Sequence, residues 1–181
     1  MAQRAGKKVA AVGCSGGVLA HRKVARELLT GDCRQALADY PGGILECKYG
    51  CLGLGSCAAA CKLGAIKVGE KGVAEVDREK CVGCGLCVKT CPQGIIRLVP
   101  REQNIVVACS NEDAGAVTRK LCDAGCIACG LCEKNCPMGA IKLVDNHPVI
   151  DEELCVSCGM CASKCPRGVI KDVYGILGPQ I

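Results

Sequence analysis

Short runs of small and β-branched apolar residues that stop at a cysteine punctuate this chain. KKVAAVGCS (7–15) and NIVVACS (104–110) each predict a short strand ending at Cys14 or Cys109. A segment of helical periodicity follows each one: VLAHRKVARELL (18–29), with Val24, Ala25, Leu28 and Leu29 on one side, and EDAGAVTRKL (112–121), with Ala114, Val117 and Leu121. AIKV with VAEVD, and AIKLV with HPVID, predict two hairpins. Further helices are expected after Cys57, Cys87, Cys132 and Cys161.

These elements repeat. Cys47, Cys51, Cys57 and Cys61 align with Cys122, Cys126, Cys132 and Cys136 at an offset of 75, and Cys81, Cys84, Cys87 and Cys91 with Cys155, Cys158, Cys161 and Cys165 at 74. Cys14 and Cys47 are 33 positions apart but Cys109 and Cys122 only 13, so the first copy carries 20 extra residues, which include Cys33 and close in a turn at Pro41-Gly42-Gly43. The expected fold class is α+β: two tandem modules, each preceded by a short strand-helix lead-in. The segments are a lead-in with Cys14 and Cys33 (1–46), a first module (47–100), a second lead-in (101–121), a second module (122–173) and a tail (174–181).

Composition sharpens this picture. Twenty cysteines in 181 residues imply a disulfide scaffold or a metal-dense protein, and with no Trp or Phe an aromatic core is excluded. A disulfide scaffold needs export, yet the apolar run Val9 to Val12 is only four residues long, short of the roughly 7 to 15 of a signal peptide. No stretch approaches the roughly 18 apolar residues of a membrane helix. The formal net charge of +5 counts each cysteine as neutral. Four cubane clusters at about −2 each would bring it to roughly −3, so the basic residues read as partners of buried anions. Nucleic-acid binding also lacks stacking aromatics.

CVGCGLCVKTCP (81–92), CIACGLCEKNCP (126–137) and CVSCGMCASKCP (155–166) are C-x2-C-x2-C-x3-C-P runs. Three cysteines on a tight loop reach three corners of one [4Fe-4S] cubane, and the fourth, carried onward by x3 and proline, serves a second cluster. Zinc does not demand three evenly spaced thiols followed by Cys-Pro, and no CxxC stands alone as in a thioredoxin-type redox site. Cross-ligation assigns Cys126, Cys129, Cys132 and Cys165 to one cluster, Cys155, Cys158, Cys161 and Cys136 to another, and Cys81, Cys84, Cys87 and Cys61 to a third, so the two tandem modules are expected to be ferredoxin-like dicluster modules. Leu54 stands where the other copy has Cys129, which leaves Cys51, Cys57 and Cys91 one ligand short, with Cys47 the nearest candidate. Cys14, Cys33, Cys109 and Cys122 remain, as a fifth cluster whose members could exchange with the Cys47 site, or as buried structural thiols. The expected cofactors are therefore four or five [4Fe-4S] clusters. His21, His147, Arg97, Arg101 and Lys142 read as surface residues, the last three also as candidates for docking a partner. No nucleotide, flavin or catalytic-triad motif is present, so the chain is read as having no catalytic site of its own.

KKVAAVGCSGG, GGILECKYGCLGLGSC, VDREKCVGCGLCVKTCPQGIIRLVP and CDAGCIACGLCEKNCP, taken in order, resemble the polyferredoxin region of the B subunit of the Rnf complex over about residues 7–171. In that family the region follows an N-terminal membrane anchor and a small one-cluster domain, so the chain is expected to be either a part of such a protein or a soluble relative. The resemblance implies a one-electron relay from reduced ferredoxin toward an NAD-reducing, ion-translocating complex. It also implies a cytoplasmic place at the inner face of the membrane, reached through partner subunits or a missing anchor. The competing readings are an electron-transfer subunit of a hydrogenase, formate dehydrogenase or 2-oxoacid oxidoreductase, and a metal-storage protein.

Overall fold

The computed structural model describes residues 7–175; residues 1–6 of the first lead-in and 176–181 of the tail lie outside the described residues. In chain order the strands are β1 (Lys8–Val12), β2 (Ile66–Val68), β3 (Ala74–Val76), β4 (Ile96–Pro100), β5 (Ile105–Val107), β6 (Ile141–Val144), β7 (His147–Ile150) and β8 (Ile170–Asp172). The helices are α1 (Cys33–Asp39), α2 (Ser56–Ala59), α3 (Leu86–Thr90), α4 (Gly115–Leu121), α5 (Leu131–Lys134) and α6 (Met160–Ser163). This is an α+β fold made of very short elements.

Every sheet among the described residues is a two-stranded antiparallel pair. The two expected hairpins form, as β2 with β3 (Ile66 opposite Val76) and β6 with β7 (Ile141 opposite Ile150). The lead-in strands find their partners far along the sequence: β1 pairs with β4, Val12 opposite Ile96, and β5 pairs with β8, Val107 opposite Ile170. Each lead-in is thereby locked to the closing strand of the cysteine-rich segment that follows it. Val9, Ile96 and Val99 lie in one core beside Cys57 and Cys81, and Ile105, Ile141 and Ile170 in another beside Cys126, Cys132 and Cys161.

The first lead-in departs from its predicted helix. Residues 18–29 run mostly extended, with single 3-10 turns at Gly17–Leu19 and Arg26–Leu28. Outside those turns their backbone hydrogen bonds reach other segments: His21 N–H donates to Leu121 O (3.0 Å), Lys23 N–H to Ile44 O (2.9 Å), and Asp123 N–H to Leu19 O (2.9 Å). The predicted apolar face is not the one buried: Ala25 and Leu28 are exposed, and the extended strap buries Ala20 against Ile44, Leu45 and Cys122 instead. The helix of this region lies in the 20-residue insertion instead. It is α1, capped by Asp32, whose carboxylate accepts from Arg34 N (2.8 Å) and Gln35 N (3.0 Å). The corresponding helix of the second lead-in forms as expected, as α4.

Several residues read as surface lie inward. Arg97 is partly buried and donates to Val107 O (3.0 Å) across the two halves. Arg101 donates to Arg78 O (2.6 Å) and to Cys81 O. His147 is partly buried too, and burial lowers its pKa, with Arg97 adding to the shift. His21 and Lys142 are exposed.

Ile170 is completely buried and Lys142 exposed, so Ile170→Ala should cost about 2–5 kcal/mol and Lys142→Ala within about 0.5 kcal/mol. Urea titration of the iron-loaded protein, followed by bleaching of its visible absorption, checks this. Equal midpoints for the two variants would mean that the β5–β8 core does not hold its half together.

Candidate metal centres

Cysteines reach the interior from the same local frame four times. Gly55, Gly85, Gly130 and Gly159 adopt the left-handed conformation (φ 83, 77, 74 and 74°) and open α2, α3, α5 and α6. Each helix then carries one cysteine: Cys57, Cys87, Cys132 or Cys161. The loop before each also turns left-handed, at Gly53 and Gly83 in the first copy and at Ala128 (φ 50°) and Ser157 (φ 53°) in the second. A Cβ on Gly83 would stand 2.3 Å from Lys8 O, so β1 sets the glycine there. Ala128 and Ser157 hold a conformation that side chains disfavour, which marks loops shaped for a ligand.

Five cavities result, each walled by four cysteines and largely apolar neighbours. Cys61, Cys81, Cys84 and Cys87 share one, with Ala10 and Ile66; Cys136, Cys155, Cys158 and Cys161 share its counterpart, with Ile105 and Ile141. Cys126, Cys129, Cys132 and Cys165 share a third. Cys33, Cys51, Cys57 and Cys91 share a fourth, and Cys14, Cys47, Cys109 and Cys122 a fifth.

Two residues thus exchange places relative to the sequence expectation. Cys33, at the first turn of α1, joins Cys51, Cys57 and Cys91, while Cys47 joins Cys14, Cys109 and Cys122. The cause is the insertion: Cys33 N–H donates to Ser56 Oγ (2.9 Å), which pins the start of α1 onto the start of α2, beside the place where Leu54 leaves a corner without sulfur. Asn111 Nδ2 donates to Cys47 Sγ (3.7 Å), within the other set.

The fifth cavity lies where the two halves meet. Each half contributes the cysteine that ends its lead-in strand and the cysteine that opens its first cysteine segment. Around it Ser15 Oγ donates to Ala108 O (3.0 Å) and Ser110 Oγ to Gly13 O (2.9 Å), an exchange between equivalent positions of the repeat. Cys51 N–H donates to Cys14 Sγ (3.4 Å), and Cys126 N–H to Cys109 Sγ (3.3 Å), again equivalent. The halves are therefore related by an approximate twofold axis at this cavity. Sequence reasoning misses Ser15, Ser110 and Asn111, although the shared Cys-Ser of both lead-ins is a signal for the two serines.

The donor set fits iron-sulfur clusters. Cysteine thiolates are the ligands of [4Fe-4S] cubanes, and amides aimed at sulfur are their usual support. Ala10 N–H donates to Cys81 Sγ (3.4 Å), Ala65 N–H to Cys61 Sγ (3.3 Å) and Ala140 N–H to Cys136 Sγ (3.3 Å). Among the described residues no group of three or more His, Cys, Asp or Glu is disposed around a single metal ion; the thiols stand on the walls of wider spaces. Burial pushes the Cys57 thiol up to about 12, and those of Cys47, Cys126 and Cys161 up to about 11. Unligated, these thiols hold their protons at neutral pH.

Three family models described as 4Fe-4S dicluster domain match the chain, over residues 47–98, 80–140 and 125–169. The chain is thus an iron-sulfur protein of the dicluster ferredoxin class. It is 44% identical over 116 residues to the B subunit of the Na(+)-translocating ferredoxin:NAD(+) oxidoreductase complex of Acetobacterium woodii, a match covering 64% of this chain and 34% of that protein. It is 38% identical over 146 residues to the B subunit of the proton-translocating ferredoxin:NAD(+) oxidoreductase complex of Clostridium ljungdahlii, covering 73% and 51%. With the B subunit of the ion-translocating oxidoreductase complex of Methanosarcina acetivorans it shares 41% identity over 79 residues, 44% of this chain and 30% of that one. Within its class, then, the chain is a homologue of the Rnf complex B subunit, and it spans a third to a half of the length of these relatives. A solved formate dehydrogenase, heterodisulfide reductase and formylmethanofuran dehydrogenase complex from Methanospirillum hungatei covers 67% of this chain and 51% of its own at 21% identity, with a TM-score of 0.27. That likeness is too slight to carry an argument.

Because ligation needs thiolate and burial raises these thiols, loading must expel protons. Adding ferrous and ferric iron in equal amounts with sulfide to the metal-free chain in weakly buffered anaerobic medium at neutral pH should acidify it beyond the acid released by the reagents alone. A pH electrode reads this, and no excess acid would mean that the buried thiols are not the ligands.

Proposed function

We propose that the chain is the polyferredoxin part of the electron-transfer subunit of an Rnf-type complex. It passes single electrons from reduced ferredoxin toward an NAD-reducing, ion-translocating assembly. The observation that carries this reading is the division of all twenty cysteines into five sets of four, in a homologue of Rnf B subunits. Bound in each set, a [4Fe-4S] cluster supplies a one-electron acceptor and donor. The chain's own residues hold, shield and tune that group.

Two tandem dicluster modules supply four of the sets. The first module holds Cys61, Cys81, Cys84 and Cys87, and Cys51, Cys57 and Cys91 with Cys33 from its lead-in. The second holds Cys136, Cys155, Cys158 and Cys161, and Cys126, Cys129, Cys132 and Cys165. The fifth set, Cys14, Cys47, Cys109 and Cys122, joins them. Cys51 supports an order along the chain, since its sulfur belongs to an outer set while its amide donates to Cys14 of the central one; Cys126 does the same in the second half. The order is then Cys61 set, Cys33 set, central set, Cys126 set, Cys136 set. No helix among the described residues is long and apolar enough to cross a membrane, and we place the chain at the cytoplasmic face through its partner subunits.

Five sets predict about 20 iron and about 20 sulfide per anaerobically loaded chain. Cys33→Ala should perturb one cluster only, by loss of iron or conversion to a three-iron form seen by EPR. Adding Leu54→Cys to Cys33→Ala should restore it, because that residue then matches Cys129 of the other copy. A count near 16 iron, or a Cys33→Ala chain indistinguishable from the parent, overturns the ligand sets. Failure of reduced ferredoxin to reduce the loaded chain overturns the assigned donor.

A further inference from the structure

The central set differs from the outer ones in receiving a side-chain donor as well as backbone amides. Gly16 N–H and Cys51 N–H donate to Cys14 Sγ (3.4 Å each), Cys126 N–H to Cys109 Sγ (3.3 Å), and Asn111 Nδ2 to Cys47 Sγ (3.7 Å). In the outer sets the donors to sulfur are backbone amides, such as Ala10 to Cys81, Ala65 to Cys61, Ala140 to Cys136, and Ala74 and Gly53 to Cys51. Asn111 provides the one side-chain donor among these. It is 1% exposed, and its orientation is fixed because the Asp113 amide donates to its Oδ1 (2.6 Å) and so leaves the NH2 group facing sulfur.

The approximate twofold makes this donor an asymmetry. Counting from the lead-in cysteines, the counterpart of Asn111 is Gly16, and a Cβ built there would lie 3.2 Å from Cys122 Sγ and 3.1 Å from Ala20 Cβ. Position 16 thus faces the counterpart of Cys47, at a distance where a side chain would crowd that sulfur, and its glycine carries no donor. The side-chain donor at this corner belongs to one half alone.

Burial gives the donor a purpose. Cys47, Cys109 and Cys122 are 5–7% exposed, whereas three outer sets each have an exposed member, Cys84, Cys129 or Cys158. Desolvation disfavours additional negative charge, so burial alone makes the central set hard to reduce. Hydrogen bonds to sulfur stabilise the more negative state, and more strongly where the dielectric is low.

We propose that Asn111 is a positioning residue that, through Cys47, keeps the inter-module site reducible, so that electrons cross between the two halves. This rests on the five-set reading above. The step is a single electron exchange: the neighbouring site in one half loses one electron, the central site gains it, and no bond or proton moves.

The test is a potentiometric EPR titration, with dithionite as reductant, of the loaded full chain and its Asn111→Leu and Asn111→Asp variants. Cys47→Ser identifies the central signal beforehand, by shifting that signal alone. At the potential where the parent's central site is half reduced, Asn111→Leu should lower its reduced-to-oxidised ratio about tenfold, equivalent to about 59 mV for one electron. Asn111→Asp keeps the acceptor for the Asp113 amide but offers no donor to sulfur, and should lower the ratio at least as far. The other four signals should not move. An unmoved central signal at full iron content overturns the proposal, as does a common shift of all five. Loss of the central signal in both variants also counts against it, because a structural role then suffices. An iron count short of five sets in the parent chain overturns the underlying five-set reading instead.

Discussion

The structure depends on the demand of four thiols for something to surround. No Phe or Trp fills the interior, and among the described residues the sheets have two strands each and four of the six α-helices are single turns of four or five residues. Neither kind of element is stable alone, since a lone helical turn has not repaid its nucleation cost and a lone hairpin is marginal. What they share is that each cysteine-bearing helix and each hairpin faces a cavity walled by sulfur. Ligand binding and folding free energy are therefore the same quantity here, as in other small metal-dependent domains. Strand register and left-handed loop residues read as devices for aiming thiols and amides.

That demand also explains why the two copies are not identical. The first has Leu54 where the second has Cys129, and the 20 residues present only in the first place Cys33 at that corner. Because α1 brings Cys33 to that corner, Cys47 remains available to the interface, where it matches Cys122. A defect and an insertion that look unrelated along the chain are one change in space. The hydrogen bond from Cys33 N–H to Ser56 Oγ joins them.

Much of this is legible in the sequence. The repeat, both hairpins and the helices around Cys57, Cys87, Cys132 and Cys161 rest on local spacing, and local geometry realises them; the first three cysteines of each C-x2-C-x2-C-x3-C-P run also line one cavity together. The predicted helix over 18–29 does not form because apolar spacing says nothing of which backbone partners are available: the strap pairs with Leu121 and Ile44, and Ala25 and Leu28 of the predicted face stay exposed. Cys33 and Cys47 change places because proximity in sequence is a poor stand-in for proximity in space; weighing Leu54 and Cys33 as paired peculiarities of one copy would favour the observed grouping. Asn111 gives no signal, since an Asn after Cys-Ser reads as an ordinary turn residue until Cys47 is seen beside it.

Charge follows the same logic. The chain carries 23 Lys and Arg against 18 Asp and Glu. Arg78, Arg97, Arg101 and Arg167 direct guanidinium donors to main-chain carbonyls. Two of these carbonyls belong to cysteines of the sets: Arg101 reaches Cys81 O, and Arg167 reaches Cys122 O (2.7 Å). A carbonyl fixes the Arg167 guanidinium without cancelling its charge, and that charge favours the thiolate of Cys122. Arg97, held on Val107 O, joins the two halves instead. Holding arginines on backbone carbonyls thus serves the fold, and at Cys122 the same contact also places positive charge beside a sulfur that gains from it.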